Sequence, residues 1–402
     1  MSDFTLRALD GDEVRDAARL FLAGLHLGAP KDEDWDRTGA RAYQPGRTLG
    51  VFGAGDDRLI GTARSMDAGL TVPGGRRLPF ASVTGVAVRQ DRTRRGVLTE
   101  LMRAQFEDFA ARQVPVAGLY VTEGSIYGRF GYGVSTLGHQ YKVDTRRARL
   151  RPDVPRGGEI ELLDLEEAVE RLPGLYASLP AHGPGHLTRS PWWWAGLEGM
   201  FRRSDKPFVT LVHHGATGPD GFACYYADRI FDADSVLHLE ALHAADSTAL
   251  AGLWRHLLGV DLIDGISTSY RPADEAVPLM FEDPRTAKAT GSADELWLRL
   301  VDVPAALAAR AYGRGSLVLE VSDAVLPANS GRYLIDDGEV TRTERPAQLR
   351  LGVSELAMLY LGTWTARALA AAGRVEAVDA AAPALADDLF GTRTAPWCGT
   401  FF

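Results

Sequence analysis

The segment from Val83 to Thr99 places an apolar strand, an arginine-rich turn and a helix start in direct succession. The turn carries Arg92, Arg94 and Arg95, and Gly96 stands immediately before the helical pattern. The N–H groups at a helix N-terminus lack intrahelical partners and carry partial positive charge, so they bind anions. Arginines add charge-assisted hydrogen bonds to phosphate oxygens, and a glycine lets a ligand approach the backbone closely. The segment therefore predicts a phosphate-binding site.

The spacing excludes the two commonest phosphate motifs, because no G-x-G-x-x-G follows the strand and no G-x-x-x-x-G-K-[ST] is present. A basic surface turn between an ordinary strand and helix is the alternative interpretation. In the strand itself, backbone N–H groups of Val86, Ala87 and Val88 are suited to hydrogen-bond a developing oxyanion in acyl transfer.

A second chemically informative string, Glu-Gly-Ser-Ile-Tyr-Gly-Arg-Phe-Gly-Tyr-Gly, runs from Glu123 to Gly133. A phenol has a reference pKa of about 10, so Tyr127 is a candidate proton donor. The alternative is that Tyr127 and Tyr132 are core aromatics of a glycine-rich turn. We prefer that alternative for Tyr132 and the catalytic interpretation for Tyr127.

The arginine turn resembles the pyrophosphate loop of GNAT acetyltransferases, which hold acetyl-coenzyme A, although Thr93 and Leu98 occupy its first and last positions. With the tyrosine string and the terminal Trp-Cys-Gly-Thr-Phe-Phe, the chain resembles the enhanced intracellular survival (Eis) family of N-acetyltransferases. The resemblance implies contacts to the acetyl-coenzyme A cofactor from one set of residues. These are Val86, Ala87, Val88, Arg94, Arg95, Gly96, Val97, Leu98, Thr99, Thr122 and Glu123.

The resemblance also implies the two proton-transfer groups, with Tyr127 as general acid and the α-carboxylate of Phe402 as general base. No internal His or Glu presents an obvious base. A terminal carboxylate has a reference pKa of about 3.3–3.7, which burial beside Phe401 and Trp397 would raise. The alternative is that the apolar tail only seals an interface.

The acceptor is expected to be a primary amine of a cationic small molecule, aminoglycoside-like or polyamine-like, near His26, Trp35 and Phe401. The net charge of −9 favours a cationic ligand and argues against nucleic acid. Phe401 stands where relatives that acetylate aminoglycosides carry an acid, which argues against those substrates. A protein-lysine acetyltransferase and a non-catalytic carrier or sensor of apolar ligands remain alternative functions.

The elements that position these residues predict an α/β and α+β chain. We expect a catalytic GNAT-like fold at 1–148, whose first two hairpin strands are joined at Gly55–Asp57 and whose last strand lies near His139–Val143. A degenerate second GNAT-like fold follows at 149–288, with two unrelated α/β halves as the alternative. A sterol-carrier-like domain is expected at 289–402, beginning with a strand at 296–303 and containing a solvated helix and loop at 370–388.

The two cysteines give no disulfide framework, so a reducing cytoplasmic location is expected. No secretory leader is visible, no apolar run approaches the ~20 residues that span a bilayer, and no membrane association is expected. No histidine pairs with acids at ligand spacing, so no metal is expected. The resemblance implies a homo-oligomer, with a hexamer as its form.

Overall fold

The computed structural model describes residues 4–53, 55, 58–228 and 234–402, so part of the turn predicted at Gly55–Asp57 lies outside the described residues. The helices are α1 (Asp12–Gly24), α2 (Asp32–Asp34), α3 (Val97–Ala111), α4 (Gly124–Tyr127), α5 (Leu165–Ser178), α6 (Pro191–Arg203), α7 (Ser247–Leu258), α8 (Val303–Ala309), α9 (Val353–Tyr360), α10 (Ala366–Ala371) and α11 (Ala382–Phe390). The strands are β1 (Phe4–Ala8), β2 (Thr48–Gly53), β3 (Leu59–Thr71), β4 (Arg77–Val88), β5 (Val116–Leu119), β6 (Gly133–Val134), β7 (Leu137–Asp144), β8 (Glu159–Leu163), β9 (Val209–Gly215), β10 (Gly218–Asp228), β11 (Val236–Ala244), β12 (Gly265–Thr268), β13 (Ala287–Asp294), β14 (Trp297–Leu300), β15 (Ser316–Ser322), β16 (Gly331–Asp336), β17 (Glu339–Arg342), β18 (Leu349–Gly352) and β19 (Glu376–Ala377).

These elements form two compact units. The first contains the chain up to Thr136, the segment Gly183–Gly199 and the segment Glu295–Phe402. The second contains Leu137–His182 and Met200–Asp294. The compact units therefore do not follow three consecutive segments of sequence.

The two seven-stranded sheets have the same strand plan. The first runs β1-β2-β3-β4-β5-β14-β6, and the second, read in the matching direction, runs β8-β9-β10-β11-β12-β7-β13. In each sheet three antiparallel pairs lead to one parallel pair, β4 with β5 and β11 with β12, joined through α3 and α7 respectively. The repeated plan confirms a tandem duplication of one α/β fold.

The sixth strand of each sheet comes from a distant part of the sequence. β14 pairs antiparallel with β5, with Trp297 opposite Leu119, and so completes the first sheet. β7 pairs with β12 and β13 in the second sheet. The prediction that the strand near His139–Val143 closes the first fold is therefore wrong, as is the placement of the strand at 296–303 in the C-terminal domain. Alternation identifies a strand, but its partner is set by long-range register, which no local pattern contains.

The core of the catalytic fold lies between the first sheet and α3. The buried face of this helix carries Val97, Leu101, Met102, Phe106 and Phe109, each at most 2% exposed. Fully burying each large apolar side chain contributes about 1.5–3 kcal/mol, so this face fixes the position of the helix start. The apolar spacing from Gly96 to Gln113 predicts a helix, and the observed helix agrees with those bounds to within two residues at either end.

The C-terminal domain has a five-stranded sheet in the order β17-β16-β15-β18-β19. The sequence Asp-Asp-Gly at 336–338 predicts a hairpin in this domain, and the structure confirms it. Asp337 (46°) and Gly338 (90°) between β16 and β17 both have positive φ, as a tight two-residue turn requires. The expectation of a solvated helix and loop at 370–388 is correct for the loop and wrong for the helix. Residues 371–374 and 376–381 are exposed, but α11 buries Ala382 and Ala386 because its apolar spacing matches the domain core.

The interior of this domain is filled by its own side chains, among them the fully buried Leu319, Ile335, Leu356 and Tyr360. Within the described ranges, no helix combines the length and the apolar character needed to cross a membrane.

Candidate active site

A bulge in β4 creates the strand geometry of the site. Thr62 lies opposite Ala87 and Arg64 opposite Thr84, so Ala63 faces both Gly85 and Val86. Gly85 has φ +62°, and a Cβ there would come within 3.0 Å of the Arg64 side chain. Only glycine suits this position, and the extra residue bends the strand and re-aims the backbone groups that follow.

β4 then separates from its parallel neighbour. The two strands pair only over Phe80–Ser82 and Val116–Gly118. From Val83 to Val88 the β5 side of β4 has no strand paired to it in the described part of the sheet. Val86, Ala87 and Val88 line a cavity at this opening, and the hydrogen bonds of their backbone to a ligand stay a prediction.

The arginine turn and the start of α3 form the next wall of the cavity. Gly96 precedes the helix with φ +82°, and no side chain caps the helix N-terminus. Arg94 also adopts a left-handed conformation, with φ 60°. A Cβ at Gly96 would meet no atom within 4 Å, so the cavity is open beside it. The uncapped N–H groups and the helix dipole face an open, anion-binding space.

The cavity has a volume of about 1140 Å³. That exceeds the roughly 300–1,000 Å³ of most small-molecule pockets and suits a long, extended ligand. Its wall carries four arginines, Arg92, Arg94, Arg103 and Arg129, against one carboxylate, Glu123. This excess positive charge fits the phosphates of coenzyme A.

Most of the predicted cofactor contacts meet in this cavity. The lining includes Val86, Ala87, Val88, Arg94, Gly96, Val97, Leu98, Thr99, Thr122, Glu123 and Tyr127. Arg95 is not part of the lining, although its neighbours on both sides are. Its contact to the cofactor stays a prediction.

Sequence reasoning missed several wall residues. Arg103 follows Thr99 by four residues and shares its helix face, so helical spacing alone could have found it. Ala324 and Val325 come from the C-terminal domain, where the Asp323 carboxylate accepts the N–H groups of Val325 and Leu326. Asp323 is held in turn by the buried Arg299 of β14, at 2.6 Å. No sequence signal connects this loop to the cavity.

Tyr127 is the last residue of α4 and is 8% exposed in the cavity wall. Its ring packs edge-on against Tyr132, with centroids 5.9 Å apart. Burial raises the pKa of Tyr127 to about 12. The phenol therefore stays protonated at neutral pH and is in the form that donates a hydrogen bond. Tyr132 is fully buried in the core, as the sequence interpretation preferred.

The tail, residues 397–402, packs within the first compact unit, which also contains the cavity. Trp397, Cys398 and Thr400 are each at most 3% exposed. The Phe402 ring packs edge-on against Tyr120 (5.2 Å) and Phe80 (6.3 Å). Tyr120 follows β5 directly and precedes the cavity residue Thr122 by two positions, so Phe402 lies near the opening between β4 and β5.

The three residues predicted on the acceptor side do not line the cavity described above. His26 follows α1 with φ 58°, two residues after the lining residue Gly24. The Trp35 ring contacts Tyr43 at 5.5 Å and lies under Arg15. Phe401 is 71% exposed, with its ring 4.8 Å from Tyr120. Their contact with an acceptor stays a prediction.

Among the described residues, the helix start of the second sheet that corresponds to α3 lacks the open anion site of the first. At the helix that corresponds to α3, the carboxylate of Asp246 accepts the N–H groups of Thr248 (2.8 Å) and Ala249 (2.9 Å). α7 is thus capped by an acid where α3 is uncapped beside arginines, and an acid at that position repels phosphate. This explains physically why the second copy is degenerate. In the described residues, no group of three His, Cys, Asp or Glu side chains is arranged to hold a metal.

Comparison with known proteins agrees with this architecture. Residues 5–135 and residues 185–300 each match a family model described as an acetyltransferase (GNAT) domain. Residues 303–399 match one described as a sterol carrier protein domain.

Full-length relatives cover most of the chain. N-acetyltransferase Eis of Mycobacterium tuberculosis is 37% identical over 81% of this chain and 82% of its own length. An uncharacterized N-acetyltransferase of Streptomyces avermitilis is 35% identical over 100% of this chain and 99% of its own length. The crystal structure of Eis1 from Mycobacterium abscessus superposes with a TM-score of 0.89 at 36% identity, over 99% of this chain and 100% of that one.

Proposed function

The chain belongs to the Eis family of GNAT-type N-acetyltransferases, and on that premise we propose a mechanism and an acceptor class for it. The enzyme transfers an acetyl group from acetyl-coenzyme A to a primary amine of a cationic small molecule. Transfer is direct, with the hydroxyl of Tyr127 as general acid and the terminal carboxylate of Phe402 as general base. The observation that carries the proposal is the cavity in which the uncapped start of α3, the bulged β4 and Tyr127 meet.

The cofactor supplies an activated acetyl thioester when bound. The N–H groups at the start of α3, with Arg92, Arg94 and Arg103, would hold its phosphates. The backbone of Val86–Val88, freed from β5, would hold the pantetheine arm and stabilise negative charge on the acetyl oxygen. Contacts of this kind would bring the reacting end of the cofactor to the part of the cavity lined by β4 and Tyr127.

Tyr127 supports the acid role through its position and protonation. As the thioester C–S bond breaks, the sulfur gains an electron pair and needs a proton. Tyr127 belongs to the cavity wall, and its hydroxyl stays protonated because burial raises its pKa to about 12. A donor with so high a pKa acts chiefly as a hydrogen-bond donor to the sulfur, with the proton passing fully only as charge develops.

The docked tail supports the base role. An ammonium acceptor must lose a proton before its nitrogen can attack, and a carboxylate near the opening between the strands can accept that proton. Phe402 packs against Tyr120 and Phe80, which belong to or directly follow the two separating strands. The alternative, in which the tail only packs, predicts that the charge of the terminus is irrelevant to turnover.

The acceptor class rests on charge. The chain carries a net charge of −9, and an acidic protein attracts cations from solution. The rings of Trp35 and Tyr43 lie under the protein's own Arg15 and Arg64, and aromatic faces in general attract cationic groups. A protein lysine is the second candidate acceptor. The homohexamer and the cytoplasmic location stay predictions.

The deciding experiment measures release of the free thiol from acetyl-coenzyme A. The acceptors are a panel of polyamines, aminoglycosides and lysine peptides at equal concentration. We expect turnover with small polyamines to exceed turnover with lysine peptides by at least about tenfold. Faster turnover with peptides would replace the small-molecule assignment with protein-lysine acetylation.

A second measurement tests the base. One added glycine after Phe402 converts its carboxylate into an amide, which cannot accept the proton. We expect turnover to fall by about 10²–10⁴ while coenzyme A affinity is retained. Unchanged turnover would eliminate the carboxylate as base.

A further inference from the structure

The backbone of the tail is held by side chains from outside it. Glu295 accepts the N–H of Gly399 at Oε1 (2.9 Å) and the N–H of Cys398 at Oε2 (3.1 Å). Arg189 donates through Nη2 to the carbonyl of Gly399 (2.9 Å), and Trp193 donates through Nε1 to the carbonyl of Phe401 (2.7 Å). We name Glu295, Arg189 and Trp193 the tail clasp.

The pairing of β14 with β5 in the first sheet determines the position of Glu295. It comes two residues before β14, and β14 pairs with β5 so that Trp297 faces Leu119. This register brings Glu295 beside Tyr120, the residue that follows β5. The nearby charge of Glu295 is one of the causes, after burial and Cys398, that raise the pKa of Tyr120. The tail is thus anchored beside the end of β5, the strand from which β4 separates at the cavity.

The Glu295 carboxylate is only 2% exposed, yet it is well supplied with donors. Besides the two tail N–H groups, the hydroxyl of Thr136 donates to Oε2 of Glu295 at 3.0 Å. The Thr136 hydroxyl oxygen itself accepts the N–H of Leu296, which leaves its proton free to point at the carboxylate. Burying a carboxylate is costly unless hydrogen bonds compensate it. Here the tail backbone supplies two of the donors, so docking of the tail contributes to the satisfaction of the carboxylate and the carboxylate in turn holds the tail.

The remaining clasp contacts fix the last turn before the terminus. Arg189 also donates through Nε to the hydroxyl of Thr400 (3.2 Å) and stacks on Trp193, with its guanidinium carbon 4.2 Å from the ring centroid. Phe401 projects its ring outward, 71% exposed, while its carbonyl is held by Trp193. The residue that follows it, Phe402, is therefore attached to a tail whose backbone is held at Cys398, Gly399 and Phe401 and whose Thr400 is held through its side chain.

We propose that the tail clasp positions the carboxylate of Phe402 for catalysis, with Glu295 as its central positioning residue. This inference rests on the proposed function, in which that carboxylate is the base. A flexible terminus would sample many positions, and a displacement of about 1 Å can cost about 100-fold in rate. The clasp removes that freedom without touching the cofactor, whose cavity is lined by other residues.

The test compares Glu295→Gln with a matched control, Asp387→Asn. Asp387 also accepts two backbone N–H groups, those of Ala366 and Arg367, but it lies in the C-terminal domain away from the tail. For Glu295→Gln we expect kcat to fall by about 10- to 100-fold, with KM for acetyl-coenzyme A within about twofold. The control should retain kcat.

A second readout follows the tail directly. Carboxypeptidase should release Phe402 and Phe401 from Glu295→Gln at least about tenfold faster than from the unaltered chain or the control, measured by intact mass. If Glu295→Gln fails to fold, Trp193→Phe retains an aromatic ring but removes the N–H to Phe401, and we expect a several-fold loss of kcat with faster release.

The glycine added after Phe402 separates the possible failures. If the added glycine lowers turnover and adding it to Glu295→Gln lowers turnover no further, both groups act through one function and the inference stands. If the added glycine lowers turnover while Glu295→Gln keeps normal kcat and a protected tail, the clasp is refuted and the proposed base survives. If the added glycine leaves turnover unchanged, the proposed base and the positioning role are both refuted.

Discussion

Gly96→Ala tests two properties of this residue, its left-handed backbone conformation and the open cavity beside it. The residue has φ +82°, and an alanine in this left-handed region costs about 1–2 kcal/mol. The added methyl would meet no protein atom within 4 Å, so strain alone should reduce the stability of the unliganded protein. The methyl would nevertheless occupy cavity space beside the uncapped start of α3.

The effect on binding follows from the bonds at that helix start. A hydrogen bond to a charged group contributes about 1.5–3 kcal/mol, and about 1.4 kcal/mol corresponds to tenfold in affinity. Displacing one phosphate contact should therefore raise the dissociation constant of coenzyme A more than about tenfold. Calorimetric titration with coenzyme A measures this, and urea unfolding measures the stability.

Gly373→Ala is the matched control. Gly373 has φ +71°, a Cβ there also meets nothing within 4 Å, and it follows α10 in the C-terminal domain. Both variants should lose similar stability, and only Gly96→Ala should lose coenzyme A affinity. Equal affinities in the two variants would refute the assignment of this helix start to the phosphates.

The remaining predictions concern the acid and the arginine turn. Tyr127→Phe should lower turnover by about 10²–10⁴ with coenzyme A affinity retained. The control Tyr132→Phe removes a buried hydroxyl outside the cavity and should leave turnover within about twofold. Near-normal turnover of Tyr127→Phe would show that Tyr127 is only a core aromatic residue. Because burial raises the pKa of Tyr127 to about 12, its hydroxyl loses its proton only as the pH approaches that value. Deprotonation of Tyr127 should therefore cause no decline of kcat between about pH 8 and about pH 10. A decline in that range that is absent from Tyr127→Phe would contradict the raised pKa. Arg94→Ala should raise the dissociation constant of coenzyme A more than about tenfold, as measured by calorimetry. Arg95 lies outside the cavity lining, so Arg95→Ala should raise the constant less. A larger increase in Arg95→Ala than in Arg94→Ala would assign the phosphate contact to Arg95.

Local sequence sufficed for the features that depend on neighbouring residues. The strand, turn and helix from Val83 to Thr99 were predictable because apolar spacing, a glycine before the helix and the clustered arginines all lie within seventeen residues. The hairpin at Asp337–Gly338 was predictable because its turn requires positive φ at both positions. Tyr127 could be named because the motif around it is short and contiguous.

Tertiary structure alone decided which distant segments complete the site. The sequence of β14 shows a strand, but only the folded register with β5 places it in the first sheet and brings Glu295 to the tail. Likewise Ala324 and Val325 enter the cavity wall through the ion pair of Arg299 with Asp323, twenty-four residues apart. Hydrophobic periodicity indicates that one face of an element is buried, but it does not indicate which other element covers that face, because the hydrophobic effect is not directional. The partners of β14, the tail and the cavity loop are therefore fixed by packing and by buried hydrogen bonds, which exist only once the chain has folded.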